Sequence, residues 1–267
     1  MTGRVWPVAL TIAGSDPSGG AGLQGDLKTF AALEVYGAAA VTAITVQDTR
    51  GVEDVHLLPP ALVGRQVEVV LDDLPVAAVK IGMLGDGPQA QAVFQALSGK
   101  SDIPVVLDPV MRSSSGQSLL AEEGLETLLN RLLPLAALVT PNLPEARVLA
   151  GEPDAPPAEL AQLILARGAR AVLVTGGHGR GNRVEDILVT RTGRRIFSRV
   201  RLDTSSTHGT GCTLAAAVTA GLARGMTLED GVSMAWEYVG RALETAWSLG
   251  HGRGPLHHMH PFWPERV

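Results

Sequence analysis

Short runs of aliphatic and β-branched residues alternate along this chain with longer segments of helical periodicity, and this order constrains its fold most. Residues 8–15 predict a first strand, and residues 22–33 predict the helix that follows. Five further apolar runs each end in polar or glycine residues, at 38–47, 77–83, 104–111, 137–142 and 171–177. The pattern is typical of βαβ units and predicts an α/β fold with a mainly parallel sheet. Ligands of such sheets bind at the carboxyl ends of the strands, so we expect the site there.

The second half of the chain predicts a different local structure. Residues 184–202 alternate in polarity around Thr192 and Gly193, which predicts an antiparallel hairpin at the sheet edge. Helices are predicted at 209–223 and 228–249. The most linker-like stretch, GEPDAPP at 151–157, is too short to divide two domains. We therefore predict one domain over residues 1–267.

Composition excludes several classes of partner. The formal net charge is -5 and the sequence has no run of Lys or Arg, so we expect no nucleic acid partner. No stretch of about 18 apolar residues occurs, so we expect no membrane partner either. Cys212 is the single cysteine, which excludes an internal disulfide and suits a reducing cytoplasm.

A first glycine-rich turn, GSDPSGGAGLQGDLKTF at 14–30, contains G-x-G-x-x-G at Gly20, Gly22 and Gly25. A dinucleotide site needs its strand to run almost directly into these glycines, but the polar residues 15–19 intervene. The loop therefore fits a small-molecule contact better. An NAD-dependent oxidoreductase stays an alternative, with Asp48 at a suitable sequence distance to hold a ribose.

A second glycine-rich turn, THGTGCTLAAA at 207–217, is the better candidate for an anion site. Gly209, Thr210 and Gly211 precede an alanine-rich helix, whose first backbone N–H groups would stabilise a transferring phosphoryl group. The alternative is a glycine-capped helix that packs closely on the sheet. The sequence has neither a G-x-x-x-x-G-K-[ST] motif nor the protein kinase signature motifs.

Seven motifs together identify a family. The chain carries, in order, GSDPSGGAGLQGDLKTF, TAITVQDT, KIGML, DPVM, TPNLPEA, VTGGH and THGTGCTLAAA. This set resembles the hydroxymethylpyrimidine/phosphomethylpyrimidine kinases of thiamine biosynthesis. The resemblance implies a ribokinase-like three-layer sandwich, with helices on both faces of the sheet and an antiparallel edge hairpin. It also implies a cytoplasmic homodimer that transfers phosphate from ATP, with Mg²⁺, to 4-amino-5-hydroxymethyl-2-methylpyrimidine and then to its monophosphate.

The resemblance assigns a group of substrate residues. Gln47 would hydrogen-bond the pyrimidine, since an amide offers a donor and an acceptor together; the alternative is a glutamine that caps a loop. Asp26 would help to hold the substrate. Met83 would pack on its ring, unless it is a core methionine. Gly14 and Ala21 would form part of a substrate lip.

It also assigns residues to the nucleotide. Asn142 and Glu145 match an N-x-x-E element whose carboxylate would organise Mg²⁺ near the phosphates through water, and Asp108 would share that task. Each acidic residue could instead be a helix N-cap. Thr175, Gly177 and His208 would lie near the phosphates.

Cys212 occupies the position at which sugar kinases of this fold place an aspartate base. A thiol at a helix N-terminus can have a lowered pKa, so Cys212 would accept the hydroxymethyl proton, with Gly209, Thr210 and Gly211 as the anion hole. The alternative is that Cys212 only fills space, because phosphoryl transfer relies chiefly on positioning and electrostatics.

Two departures from the family leave further hypotheses open. Thr175 stands where the family commonly has lysine, so Arg180, Arg183 or another nearby arginine would have to supply that charge. Ser205 and Ser206 likewise replace a basic residue and asparagine. A sensor without turnover is thus an alternative, and a pyridoxal kinase of the same fold is another.

The late histidines predict no metal centre. Their spacing is irregular and lies beside glycine and proline, which favours a surface tail over a metal site. The portion GRGPLHH also resembles the family's C-terminal ending, which argues for a structural role. The residues concerned are His251, His257, His258 and His260.

Overall fold

Nine strands form one mixed sheet in this protein, whose computed structural model describes residues 6–113, 116–177 and 181–263. The strands are β1 (Val8–Ser15), β2 (Tyr36–Gln47), β3 (Val52–Leu57), β4 (Val76–Ile81), β5 (Val105–Leu107), β6 (Leu138–Val139), β7 (Ala171–Val174), β8 (Arg183–Thr190) and β9 (Arg194–Val200). Their order across the sheet is β3-β2-β1-β4-β5-β6-β7-β8-β9. Six neighbouring strands are parallel to one another: β2, β1, β4, β5, β6 and β7. The strands β3, β8 and β9 pair antiparallel with their neighbours.

Helices cover both faces of the sheet. They are α1 (Gly22–Ala32), α2 (Pro60–Asp73), α3 (Gly87–Leu97), α4 (Glu122–Thr127), α5 (Leu143–Ala150), α6 (Pro157–Ala166), α7 (Thr210–Ala223) and α8 (Leu228–Glu244). A π-helical turn (Leu128–Leu132) and a 3-10 turn (Leu133–Leu135) continue α4. The helices α1, α7 and α8 pack on one face, and α2, α3, α5 and α6 pack on the other.

The central strands are buried on both faces, which explains their continuous apolar sequences. In β5, Val105 and Leu107 join the core under α2, α3, α5 and α6, and Val106 joins the core under α7 and α8. This period of two distributes one short strand between two layers of helices.

The chain reverses its direction of travel across the sheet at β1 and β4. From β1 the next parallel strand, β2, lies to one side, and β4, β5, β6 and β7 follow in order on the other side. The carboxyl ends of adjacent strands diverge at such a switch point and leave a crevice where ligands bind. This topology places a cavity at the ends of the strands.

The sequence predicted most of these elements. The six predicted parallel strands, the hairpin of β8 and β9 and the late helices are confirmed, although α8 ends at Glu244 and not at residue 249. The antiparallel strand β3 was not predicted. None of the helices in the described ranges has both the length and the apolar character needed to cross a membrane.

The prediction of a surface tail near the C-terminus was wrong for His257 and His258, whereas His251 is exposed. His257 and His258 are 5% and 4% exposed. The hydroxyl of Tyr238 in α8 donates a hydrogen bond to the His258 carbonyl (2.6 Å), and the His258 ring bonds to the Thr213 hydroxyl in α7 (3.0 Å). The segment is therefore part of the packed structure.

Candidate active site

A cavity of about 1010 Å³ opens at the carboxyl ends of the parallel strands. Every parallel strand contributes residues at or just beyond its carboxyl end, including Gln47 at the end of β2. The cavity brings together all but one of the predicted site residues: Gly14, Ala21, Gln47, Met83, Asp108, Asn142, Glu145, Thr175, Gly177, His208, Gly209, Thr210, Gly211 and Cys212.

The N-terminus of α7 forms one wall of the cavity. Gly209 is the N-cap residue, with a left-handed backbone (φ 85°), and Thr210, Gly211 and Cys212 form the first turn. N–H groups of a first helical turn have no acceptor within their own helix, and they concentrate the positive end of the helix dipole. The arrangement can therefore hold an anion, as the sequence predicted.

The first glycine-rich loop packs against this helix start. A Cβ atom at Gly209 would collide with the Gly20 carbonyl, and one at Gly20 would meet the His208 ring and Pro255. Gly22 has a left-handed backbone (φ 53°) and lies against the Gly14 carbonyl, while Gly25 lies against Gly20. Close packing of the chain on itself accounts for these glycines, so the dinucleotide hypothesis loses its structural support.

The buried residue Lys80, which was not among the predicted site residues, lies close enough to Cys212 in α7 for their charges to interact. Lys80, in β4, is fully buried, and its Nζ atom lies 2.8 Å from Oδ2 of Asp26 and 3.8 Å from Oδ2 of Asp108. Its charge also acts on the Cys212 thiol. The signal was present in KIGML, since a charged residue in an otherwise apolar buried strand calls for a specific partner.

Asp26 does not line the cavity, unlike the other predicted substrate residues. Its side chain is fully buried in α1, where it accepts hydrogen bonds from Lys80 and from the Thr11 hydroxyl (2.6 Å). Burial raises its pKa, against the opposing effect of Lys80. The geometry thus gives Asp26 no direct contact with a ligand and makes it the counter-ion of Lys80.

The Cys212 thiol lies between the N-termini of two helices, since it accepts a hydrogen bond from the Gly22 backbone at the start of α1. Burial nevertheless raises the pKa of Cys212 well above its ordinary value, although Lys80 and this hydrogen bond act in the opposite direction. The expectation of a lowered pKa was wrong, because desolvation outweighs the helix dipoles. At neutral pH the resting group is a thiol.

Two acidic residues line the cavity: Asp108, which is hydrogen-bonded to Cys212, and Glu145. Asn142 and Glu145 form a capping box at the start of α5: the Glu145 N–H donates to Asn142 Oδ1 (3.0 Å), and the Asn142 N–H donates to Glu145 Oε2 (2.9 Å). Asn142 is therefore the N-cap, and Glu145 takes part in the capping as the third residue of the helix and not as the N-cap itself. No helix begins directly after Asp108, so the N-cap alternative is wrong for Asp108.

The electrostatics of this acidic pair fit a divalent cation. Burial and the neighbouring Asp108 raise the pKa of Glu145 to about 8. Oδ2 of Asp108 is buried without a hydrogen-bond partner among the described residues. The described residues contain no cluster of three or more metal-ligating side chains. Mg²⁺ is commonly held by one or two carboxylates together with water and substrate phosphates, and this pair suits that mode.

Gln47 and His208 also line the cavity. The ring of His208 lies 2.8 Å from Asp16 Oδ2 and 3.3 Å from the Gln47 amide, and the buried Met83 is another lining residue. His208, which was predicted beside the phosphates, directly precedes the N-cap Gly209, and its ring contacts Asp16 and Gln47. Gln47 is partly exposed to the cavity, as a ligand contact requires.

Arginines line the cavity beside Thr175 and Gly177. Arg201 donates hydrogen bonds to the carbonyls of Gly177 (2.9 Å) and Gly181 (3.0 Å). Arg183 bonds instead to Ser198 on the hairpin (2.9 Å) and is not among the residues that line the cavity. Arg180 and His178 lie outside the described residues. Arg201 is thus the described arginine best placed to supply the charge absent at Thr175.

Comparisons with known proteins agree with this architecture. The family model for phosphomethylpyrimidine kinase matches residues 16–257. A hydroxymethylpyrimidine/phosphomethylpyrimidine kinase of Rhizobium meliloti is 45% identical over 97% of this chain and 99% of its own length.

Solved structures give the same result. The phosphomethylpyrimidine kinase of Clostridium difficile 630 is 39% identical, with a TM-score of 0.78 over 88% of this chain and 98% of its own. An ADP complex of Bacillus subtilis pyridoxal kinase is 35% identical, with a TM-score of 0.88 over 95% and 98% of the two chains. The predicted ribokinase-like fold is confirmed, and the chain belongs to the phosphomethylpyrimidine kinase family of phosphotransferases.

Proposed function

We propose that this protein transfers the γ-phosphate of ATP to the hydroxymethyl oxygen of 4-amino-5-hydroxymethyl-2-methylpyrimidine, and then a second phosphate to the monophosphate, in thiamine biosynthesis. One observation carries the proposal. A single cavity is lined both by an amide, Gln47, and by a helix N-terminus with Cys212. The first suits an aminopyrimidine, and the second suits a phosphoryl group in transfer.

The residues around the α7 N-terminus each have a role in the transfer step. The substrate oxygen forms a bond to the γ-phosphorus, and the bond from that phosphorus to the β–γ bridging oxygen breaks, so ADP leaves. Backbone N–H groups of residues 210–212 stabilise the charge on the transferring group. The hydroxyl proton passes to the Cys212 sulfur as the Cys212 thiol passes its own proton to the Asp108 carboxylate, to which it is hydrogen-bonded. Lys80 then compensates the negative charge that develops on the sulfur.

Asp108 and Glu145 would hold Mg²⁺ through water, and the ion would neutralise phosphate charge when bound. Arg201 would add a guanidinium near the ATP phosphates, where charge-assisted hydrogen bonds are strong. Gln47 and Met83 would hold the pyrimidine by its polar edge and its face. These assignments are supported by the cavity that the residues share.

Mass spectrometry of products tests the proposal. The pure protein would be incubated with Mg-ATP and the hydroxymethylpyrimidine, and with pyridoxal in a parallel reaction. We expect the pyrimidine monophosphate first and the diphosphate later. Absence of any phosphorylated pyrimidine, in a preparation that binds ATP, would contradict the proposal and favour the sensor hypothesis.

A pyridoxal kinase is the second candidate. It is favoured by the likeness of the chain to a pyridoxal kinase structure at a TM-score of 0.88. A substituted six-membered heteroaromatic ring with a hydroxymethyl group would occupy the same cavity. Formation of pyridoxal phosphate alone would establish this candidate and leave the roles of residues 209–212 intact.

We further propose that the chain acts as one domain in a cytoplasmic homodimer, as the family resemblance implies. Sedimentation velocity tests the assembly: a species of twice the 27.9 kDa chain mass is expected at micromolar concentration. A single species of chain mass at that concentration would contradict it.

A further inference from the structure

The side-chain amide of Gln47 lies between two polar side chains, Thr45 and His208. Its Nε2 atom is 3.3 Å from Nε2 of His208, and its Oε1 atom is 3.3 Å from Oγ1 of Thr45. A half-turn about the last side-chain bond exchanges the amide nitrogen and oxygen without changing the shape of the group. The hydrogen bonds of the two neighbours therefore decide which way round the amide lies.

On the His208 side, the contact between His208 and Asp16 decides which Gln47 amide atom faces the ring. Asp16 is buried, and it also accepts hydrogen bonds from the Ser18 and Ala21 backbones and from the Ser18 hydroxyl. Burial by itself would raise the Asp16 pKa, but these hydrogen bonds and His208 lower it, so the group is a carboxylate. A carboxylate oxygen 2.8 Å from His208 Nε2 requires that this nitrogen carry a proton. A protonated Nε2 has no lone pair to accept from an amide N–H, so the Gln47 atom that faces it must be the oxygen, as a second and more distant acceptor of the same proton.

The Thr45 side leads independently to the same orientation. The buried Thr45 hydroxyl lies 2.8 Å from the Ser15 carbonyl, which can only accept, so the single hydroxyl proton is used there. Toward Gln47 the hydroxyl oxygen therefore offers only a lone pair. The Gln47 atom that faces Thr45 must be a donor.

We propose that the Asp16–His208 pair and Thr45 together hold the Gln47 amide with its oxygen toward His208 and its nitrogen toward Thr45, and so set the hydrogen-bonding edge that the cavity offers. His208, Asp16 and Thr45 are positioning residues in this arrangement. One amide N–H of Gln47 is then used in the bond to Thr45, and one lone pair of the amide oxygen is used in the bond from His208. The remaining N–H and lone pair lie side by side on the edge shared by nitrogen and oxygen.

That edge selects a class of ligand. It is complementary to a ring that presents an acceptor next to a donor, such as a ring nitrogen beside an exocyclic amino group. A ring that presents only acceptors at this edge leaves one amide group unpaired. The naming of an aminopyrimidine rests on the proposed function, whereas the amide orientation does not.

The orientation is tested in the ligand-free protein by NMR. With ¹⁵N-labelled histidine and glutamine, we expect the His208 ring to carry its proton on Nε2. We also expect the Gln47 amide protons to show nuclear Overhauser contacts to the Thr45 side chain and not to the His208 ring. A bare His208 Nε2, or amide protons against the His208 ring, would overturn the proposal.

The selection is tested by calorimetric binding of the hydroxymethylpyrimidine and of its analogue without the amino group. Wild-type protein is expected to prefer the amino compound by about tenfold or more. Gln47→Leu should abolish this preference, and His208→Phe and Asp16→Asn should each reduce it several-fold. The double variant of Gln47→Leu with His208→Phe should show no further loss.

The controls separate the possible failures. His56→Phe changes an exposed histidine of β3 that is paired with Asp54, and it should keep the wild-type preference. An unchanged preference in folded His208→Phe protein, together with a lost preference in Gln47→Leu, would overturn the inference. If wild-type protein binds neither pyrimidine, the proposed function fails, and the NMR experiment still decides the amide orientation.

Discussion

The Nζ atom of Lys80 lies 2.8 Å from Oδ2 of Asp26, and neither side chain is exposed to solvent. Asp108 and Cys212 complete the surroundings of this lysine. A buried charge is tolerated only when it is paired, so this pair connects the stability of the protein to the floor of its cavity.

Removing one member of this pair should destabilise the protein strongly. Lys80→Met leaves Asp26 buried without its counter-ion, and we expect a loss of about 3–5 kcal/mol in the free energy of unfolding, measured by urea denaturation. Lys100→Met is the matched control, because Lys100 is partly exposed and lies 3.6 Å from Asp72. That variant should lose less than about 1 kcal/mol. Equal losses in the two variants would contradict the prediction.

Cys212→Ala should lower turnover with little change in stability. If the thiol accepts the substrate proton, kcat should fall by roughly 10²–10⁴-fold, as is typical of a positioned base. ADP release in a coupled assay measures this. Turnover near that of wild type would eliminate the base role and leave Cys212 as a space-filling residue.

The raised pKa of Cys212 gives a separate expectation. Because the resting group is a thiol, alkylation by iodoacetamide at pH 7.5 should be slow compared with that of a free cysteine. Rapid labelling, followed by mass spectrometry, would instead indicate a thiolate in the ligand-free protein.

Arg201→Ala should weaken ATP binding more than it weakens pyrimidine binding. Loss of a charge-assisted hydrogen bond of about 1.5–3 kcal/mol corresponds to a rise in the KM for ATP of roughly 10-fold to 150-fold. Arg183→Ala is the control, since Arg183 bonds to Ser198 on the hairpin. An unchanged KM for ATP in the Arg201 variant would show that another group balances the phosphate charge.

Two alanine substitutions at the start of α7 should have opposite effects on thermal stability. Gly209 has φ 85°, and a Cβ atom there would collide with the Gly20 carbonyl, so Gly209→Ala should cost about 2 kcal/mol or more. A Cβ atom at Gly211 would meet nothing within 4 Å, and alanine favours a helix over glycine by up to about 1 kcal/mol. Gly211→Ala should therefore unfold at the same or a higher temperature. Equal destabilisation of both variants would be inconsistent with this geometry.

His258 should contribute to loss of stability in acid. Burial, together with the positive charge of Lys28, lowers its pKa to about 4 from the ordinary 6.5. Between these values the unfolded chain binds more protons than the folded one, so the free energy of unfolding falls as pH falls from about 6.5 to about 4. His258→Gln can still bond to Thr213 but cannot take up the proton, so it should reduce this slope. A slope identical to that of wild type would contradict the prediction.

Local sequence determined every strand except β3, the helices α1, α7 and α8, and the second glycine-rich turn. Apolar runs of strand length between segments of helical period specify buried parallel strands, and Gly209 and Gly211 specify a turn into α7. The seven motifs and their order in the chain also identified the family. These features depend on neighbours in the chain, which a sequence shows directly.

Only the tertiary structure decided which of these groups meet and in what electrostatic state. Lys80, Asp26 and Cys212 lie on three elements, and the burial that they share turned an expected lowering of the Cys212 pKa into a rise. His257 and His258 were expected at the surface, but packing on α7 and α8 buries them. Desolvation and contacts between distant segments arise only when the layers close, so residue spacing cannot report them.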